Sequence, residues 1–221
     1  MIKKQFQISP SILSSDFANL QREIEAIEKA GADYIHVDVM DGHFVPNLTI
    51  GAPVVEALKR VSKIPLDCHL MISNPEKYIS DFAKAGANII TVHFEVSGAN
   101  QTPELLARQI KSHGCRAGIS IKPQTKASEI FSMLKHFDLV LVMSVEPGFS
   151  GQKFMPECAE KLTELRQEID KQNLSCLLEI DGGVNLETAK QCRDADILVA
   201  GHAVFRASSY RDAIKALKEQ K

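Results

Sequence analysis

The sequence lacks the features that anchor a protein in a membrane or direct it across one. No apolar run approaches the roughly 20 residues needed to span a bilayer. Residues 1–7 include basic side chains but no apolar core of the kind that a secretory signal has. The formal net charge of -2 at pH 7 gives no general attraction to nucleic acid or to an anionic membrane. We therefore expect a cytoplasmic protein with no membrane partner and no nucleic-acid partner.

Features that divide or cross-link a chain are also scarce. The five cysteines are an odd number without a CxxC motif, which predicts reduced thiols rather than a disulfide framework. No domain linker and no low-complexity tract interrupts the 221 residues. With 44% hydrophobic and 24% charged residues, the composition is that of an ordinary globular protein. We predict a single domain over residues 1–221.

Segments typical of strands and helices alternate along the chain. Residues 29–38 and 84–93 repeat one joint, a helix end at Ala-Gly-Ala followed by a β-branched strand, and this echo indicates repeated βα units. The predicted strands lie at 8–13, 34–40, 66–71, 89–93, 116–121, 139–143, 176–181 and 197–200. A helix is predicted after each strand, including a fifth over 129–134 and a seventh capped by Asn185.

Eight alternating βα units predict an α/β fold, a single closed (β/α)8 TIM barrel with a parallel sheet. A doubly wound open sheet is the alternative, but no GxGxxG motif follows the first strand. In a barrel of this kind the carboxyl ends of all strands meet at one mouth, where active sites lie. Polar residues at those ends are therefore candidates for chemistry.

The second predicted strand carries an imidazole and a carboxylate on one face. Side chains alternate along a strand, so His36 and Asp38 point to the same side. Burying a charge costs heavily unless it is paired or bound to a metal. His69 on the third strand and Asp181 on the seventh would join this pair at the mouth. Two imidazoles and two carboxylates suit one divalent transition metal ion, and zinc, iron(II), manganese and cobalt all remain open.

An ordinary core or surface position is the better interpretation of any one of these residues alone. Four of them at matching strand ends favour a site instead. The ordinary interpretation is kept for four other histidines, which are His43, His93, His113 and His136.

Glycine-rich loops follow the last three predicted strands. They are residues 147–152, 181–185 and 201–203. A single Gly-Gly is equally well explained by a turn. Three such loops in one quadrant of a barrel, with bare backbone N–H groups, favour phosphate binding.

Five segments together resemble the ribulose-phosphate 3-epimerase family. They are residues 10–14, 36–49, 69–71, 147–154 and 181–185, of which the second is highly specific. The resemblance implies a TIM barrel of the ribulose-phosphate-binding type that interconverts D-ribulose 5-phosphate and D-xylulose 5-phosphate in the pentose phosphate pathway. It also implies a phosphorylated ketopentose substrate, one divalent metal ion per subunit, and a homo-oligomer, either a dimer or a hexamer.

The resemblance further implies roles for individual residues. The metal ligands would be His36, Asp38, His69 and Asp181, with Asp38 and Asp181 also the acid/base pair. The substrate contacts would be Ser11, His69, Gly148, Phe149, Ser150, Gly151, Gly182, Gly183, Gly201 and His202. Met40, Met71 and Met143 match positions that cap the sugar, and core packing is an equally good interpretation of them.

Two carboxylates suit this chemistry. Inverting a carbon beside a ketone requires removing a proton on one face and returning one on the other, which a single base cannot easily do. Two related functions remain as alternatives, a 3-epimerase for a six-carbon ketose phosphate and a phosphate-binding barrel without catalysis. Departures from the family pattern occur at Lys122, Glu146 and His202, the last of which replaces a small residue at the expected phosphate loop.

Overall fold

The computed structural model describes residues 5–96 and 101–221. Its centre is a sheet of eight parallel strands. The strands are β1 (Gln7–Pro10), β2 (Ile35–Met40), β3 (Leu66–Met71), β4 (Ile89–His93), β5 (Arg116–Ile121), β6 (Leu139–Met143), β7 (Leu177–Asp181) and β8 (Ile197–Ala200). Five of the eight are fully buried along their length, as expected when both faces of a parallel sheet are covered.

The sheet curls into a nearly closed barrel. Each strand pairs with its neighbours in sequence order, and β1 pairs with β8 in the register Gln7 to Ile197. The remaining seam, between β1 and β2, carries a single parallel bridge from Ser11 to His36. The predicted TIM barrel is therefore confirmed.

Helices surround the barrel and bury one face each. They are α1 (Leu20–Lys29), α2 (Ala52–Val61), α3 (Ile79–Ala85), α4 (Pro103–Ser112), α5 (Glu157–Lys171), α6 (Leu186–Ala189), α7 (His202–Phe205) and α8 (Tyr210–Lys218). Among the described residues, no helix is long and apolar enough to cross a membrane. Asn185 caps α6 as predicted, because its side chain accepts the N–H groups of Glu187 and Thr188.

Three local predictions differ from the structure. The first strand ends at Pro10, because the next residues turn through i→i+3 hydrogen bonds such as Ser15 N–H to Ile12 O at 3.0 Å. The fifth helix is a 3₁₀ helix over Ala127–His136. Its buried residues are Ala127, Ile130 and Met133, which are three positions apart, and Leu134. A short helix, α7, also precedes the predicted closing helix.

Apolar and polar side chains share the interior of the barrel. Ile89, Leu139 and Ile197, each at the start of a strand, belong to an apolar cluster that also includes Met143, the last residue of β6, and Val145. The buried polar side chains of the barrel strands include His36, Asp38, Asp67, His69, Thr91, His93, Ser120 and Glu179. Because buried polar groups need partners, this concentration marks the interior of the barrel as the place to look for function.

Candidate active site

Adjacent strands bring the first three predicted site residues together. Asp38 of β2 lies opposite His69 of β3 in the parallel register. The Oδ1 atom of Asp38 is 3.3 Å from His69 Nδ1 and 3.4 Å from His36 Nε2. The other carboxylate oxygen, Oδ2, accepts the hydroxyl of Ser11 at 2.5 Å. All four residues are buried, so the carboxylate is held rigidly by groups from three strand ends.

Asp181, at the end of β7, completes a compact donor set. One ligand atom from each of His36, Asp38, His69 and Asp181 lies within 4.8 Å of the others. His36 Nε2 is buried and makes no hydrogen bond to any described residue. A buried polar atom without a partner costs free energy unless something binds it. The two imidazole nitrogens and two carboxylates therefore fit a divalent cation, as the sequence predicted.

The two aspartates differ in protonation. Burial, followed by the negative charge of Asp38, raises the pKa of Asp181 to about 7. Burial also acts to raise the pKa of Asp38, but the neighbouring charge of His36 outweighs it and holds that pKa well below its usual value. Two chemically identical carboxyl groups thus face one site with pKa values driven in opposite directions.

A cleft of about 460 Å³ opens above this cluster. Its lining includes nearly all of the predicted contact residues, namely Ser11, Asp38, Met40, Met71, Met143, Gly148, Phe149, Ser150, Gly151, Asp181, Gly182, Gly183, Gly201 and His202. The three glycine loops meet on one side of the cleft. A Cβ on Gly183 would collide with the backbone of Phe154, and one on Gly151 would collide with the His202 ring. Bare backbone at these positions is therefore required by close approach.

A model of the ribulose-phosphate 3 epimerase family matches residues 7–205. The chain belongs to this family. Epimerase function in pentose phosphate metabolism follows from that membership, which makes the chain an isomerase.

Curated ribulose-phosphate 3-epimerases resemble it over nearly their full length. The enzyme of Mycobacterium tuberculosis is 51% identical over 215 residues, covering 96% of this chain and 92% of the relative. The Bacillus subtilis enzyme is 47% identical over 219 residues, covering 97% and 99%. The Synechocystis enzyme is 46% identical over 222 residues, covering 100% and 96%.

Solved structures of low identity share only the fold. A protein titled KGPDC from Streptococcus mutans superposes with a TM-score of 0.71 at 12% identity, covering 98% of this chain and 97% of the other. A 3-hexulose-6-phosphate synthase gives a TM-score of 0.65 at 17% identity, covering 98% and 99%. These similarities agree with the barrel and carry no functional conclusion.

The side chains that the epimerase family would place around the sugar are not equally accessible. His69 is fully buried and does not line the cleft, whereas Phe149 is 56% exposed at its rim. Met40 and Met71 pack together with Val45, so they line the cleft and also belong to an apolar cluster. Met40 and Met71 are therefore placed both to cap a sugar in the cleft and to pack in the core.

His93 contacts a predicted ligand, which the sequence interpretation missed. Its Nε2 lies 2.9 Å from His69 Nε2, and its Nδ1 lies 3.0 Å from Glu95 Oε2. Burial lowers the pKa of His93 to about 4, so the ring is neutral at pH 7. Although burial opposes it, the hydrogen bond with His93 lowers the pKa of Glu95 to about 2. The only sequence signal was the position of His93 at the end of the fourth predicted strand. In the structure its register partner is Ser120, not another histidine.

A second carboxylate, that of Asp67, contacts His36 at the ring nitrogen that faces away from Asp38. Asp67 Oδ2 lies 2.7 Å from His36 Nδ1, and these residues are register partners on β2 and β3. Glu179 is fully buried beside them, and burial followed by the charge of Asp67 raises its pKa well above the usual value. Asp67 was detectable in principle, because it lies two residues before His69 on the same face.

Proposed function

We propose that the chain inverts C3 of D-ribulose 5-phosphate to give D-xylulose 5-phosphate, with Asp38 and Asp181 as the proton-transfer pair at a divalent metal site. The observation that carries this proposal is one cleft at which two carboxyl groups, the buried Asp38 of β2 and the partly buried Asp181 of β7, have pKa values shifted in opposite directions. Such a pair supplies one base and one acid at the same pH. We propose further that residues 1–221 act as one catalytic domain.

Each carboxyl group has a defined part in the proposed reaction. The ionised Asp38 removes the C3 proton from one face of the substrate, and the protonated Asp181 delivers a proton to the opposite face. The reverse reaction exchanges their roles. Ser11, whose hydroxyl donates to Asp38 Oδ2, holds that carboxylate in one orientation. The apolar side chains of Met40, Met71 and Met143 exclude water from the reacting carbon.

The proposed metal ligands are His36, Asp38, His69 and Asp181, one ion per subunit. A bound divalent cation supplies Lewis-acid stabilisation of the negative charge that develops on the substrate oxygens. A mixed nitrogen and oxygen donor set accepts zinc, iron(II), manganese or cobalt, and which ion is bound follows geometry and supply more than raw affinity.

Turnover measurements on two substrates test the function itself. We expect kcat/KM for D-ribulose 5-phosphate to exceed that for allulose 6-phosphate, a six-carbon ketose phosphate, by at least about tenfold. The physical reason is that the cleft of about 460 Å³ must seat both the sugar and its phosphate. Proton NMR of the epimer mixture measures both reactions under one set of conditions. Equal rates, or faster turnover of the six-carbon substrate, would contradict the proposal.

The glycine loops are proposed to hold the substrate phosphate through their backbone N–H groups. Replacing Gly183 by Ala is expected to raise KM at least about tenfold, a loss of roughly 1.4 kcal/mol of binding, with a smaller effect on kcat. The added methyl group would displace the backbone at Phe154, across the cleft loop from Gly183. Steady-state kinetics measures the change.

Gly114→Ala is the matched control for that variant. Gly114 also has a positive φ, +81° against +63° for Gly183, but a Cβ there meets no heavy atom within 4 Å. Both substitutions therefore strain the backbone, and only one moves the cleft. If the two variants raise KM equally, the loop does not bind the phosphate.

Two further features of the proposal are expectations from the sequence and the family resemblance, not from the cleft. They are the assembly into a dimer or hexamer and the location in the cytoplasm. Sedimentation of the purified chain decides the first, and fractionation of cells that express it decides the second.

A further inference from the structure

A line of buried polar groups leads away from the proposed metal ligand His69, through β4, to the start of the loop after β5. His69 Nε2 contacts His93 Nε2 at 2.9 Å, and His93 Nδ1 contacts Glu95 Oε2 at 3.0 Å. The other oxygen of Glu95 accepts the Lys122 N–H at 2.7 Å and the Thr125 hydroxyl. Both imidazoles are inaccessible to water. None of these contacts is explained by packing alone.

The direction of each hydrogen bond is determined at the carboxylate end. Glu95 Oε2 is an acceptor, so the proton between it and His93 belongs to His93 Nδ1. A neutral imidazole has one N–H, which leaves His93 Nε2 as a lone pair. Two facing nitrogens 2.9 Å apart need one donor, and that donor must therefore be His69 Nε2.

We propose that His93 and Glu95 are positioning residues that hold His69 in the tautomer with its proton on Nε2. The lone pair on His69 Nδ1 then faces Asp38 Oδ1, 3.3 Å away, inside the four-residue donor set. An imidazole binds a metal only through a lone pair, so the tautomer decides whether His69 is a ligand. Two acceptors at this distance, with no proton between them, repel unless a cation lies near both. This inference rests on the metal site of the proposed function.

The two histidines of the site are held from opposite sides. Asp67 contacts His36 at Nδ1, which leaves the distal Nε2 toward Asp38. His69 is held at Nε2 and presents Nδ1 instead. The register gives the reason, because His69 pairs with Asp38 while His36 pairs with Asp67, two positions deeper. His69, which lies nearer the mouth, therefore reaches the donor set with Nδ1. His36, which lies deeper, reaches it with Nε2.

Replacing Glu95 by Gln is expected to reverse the direction of the hydrogen bonds that link residue 95, His93 and His69. The Lys122 N–H and the Thr125 hydroxyl keep an oxygen at the Oε1 position, so the new amide NH₂ faces His93. His93 Nδ1 must then accept, its proton moves to Nε2, and His69 Nε2 becomes an acceptor. We expect nitrogen-15 NMR of the metal-free protein to show His69 changing from the Nε2–H to the Nδ1–H tautomer. Cobalt(II) or zinc affinity should fall about 10- to 100-fold.

Two further variants make the result specific. Glu129→Gln is the matched control, since Glu129 is an exposed carboxylate of the neighbouring 3₁₀ helix that accepts only the Lys126 N–H among the described contacts. It should leave the tautomer of His69 and the metal affinity unchanged. His93→Phe keeps a ring in place but removes the acceptor, and it should shift His69 in the same direction as Glu95→Gln.

Two results would overturn the inference. One is an Nδ1–H tautomer of His69 in the metal-free parent protein, and the other is an unchanged tautomer and affinity in Glu95→Gln. A purely structural role would lower the melting temperature without changing the tautomer, so thermal unfolding is measured alongside. Failure of the proposed function is distinguishable, because a parent protein that binds no divalent metal refutes the metal site whatever the tautomer is.

Discussion

Turnover of D-ribulose 5-phosphate is expected to fall about 10³- to 10⁴-fold when Asp181 is replaced by Asn, and similarly for Asp38→Asn. The amide is nearly the same size as the carboxyl group but neither removes nor delivers a proton. Epimerisation needs both faces of the substrate, so one remaining carboxyl group cannot complete it. Kinetics at saturating metal, with circular dichroism to verify the fold, measures the loss.

Proton exchange with solvent distinguishes the roles of Asp38 and Asp181. In each variant the remaining carboxyl group still reaches one face of the substrate, so hydrogen at C3 exchanges in only one epimer. We expect Asp38→Asn and Asp181→Asn to show exchange in opposite epimers when the reaction is run in deuterium oxide. Asp170→Asn, the same change on the exposed side of α5, is the control and should show exchange at C3 of both epimers. Near-normal turnover in either site variant would refute the two-base assignment.

Removing divalent metal is expected to abolish turnover, and adding back zinc, manganese, cobalt or iron(II) is expected to restore it. Calcium and magnesium should not restore activity, because they prefer all-oxygen ligands and this donor set has two imidazoles. Binding to the folded chain alone should also stabilise it, by about 2.7 kcal/mol at a metal concentration one hundred times Kd. Metal analysis, activity and melting temperature are measured on the same samples.

The metal prediction has its own control in the donor set. His36→Asn removes the imidazole whose Nε2 makes no hydrogen bond to the described residues. In that variant added metal should give little stabilisation and little activity. Full turnover in protein that holds almost no metal would show that the cluster of histidines and aspartates serves another purpose.

The fold was predictable because its information is local. Each strand of the barrel is a short segment rich in apolar residues, and the joint at residues 29–38 recurs at 84–93. The errors were local too. The 3₁₀ helix over Ala127–His136 buries residues at spacings of both three and four, so its sequence pattern does not distinguish it from an α-helix.

The site was predictable in part, because the carboxyl ends of parallel strands meet at one mouth. His36, Asp38, His69 and Asp181 could be assigned to that mouth from strand position alone, and the structure brings their ligand atoms together. Whether they hold a metal and move protons stays a prediction. His93 was interpreted as an ordinary residue, since strand position shows where a side chain begins and not which atom it reaches.

The sequence by itself determined the alternation of strands and helices, the closure of eight units into a barrel, and the residue types present at its mouth. Only the tertiary structure decided which atoms face one another. The pairing of β2 with β3 sets Asp67 against His36 and Asp38 against His69, and a shift of one residue would separate both pairs. The physical reason is that hydrogen bonds and pKa shifts depend on distances of a few ångströms between residues that are far apart in the chain, which local patterns do not encode.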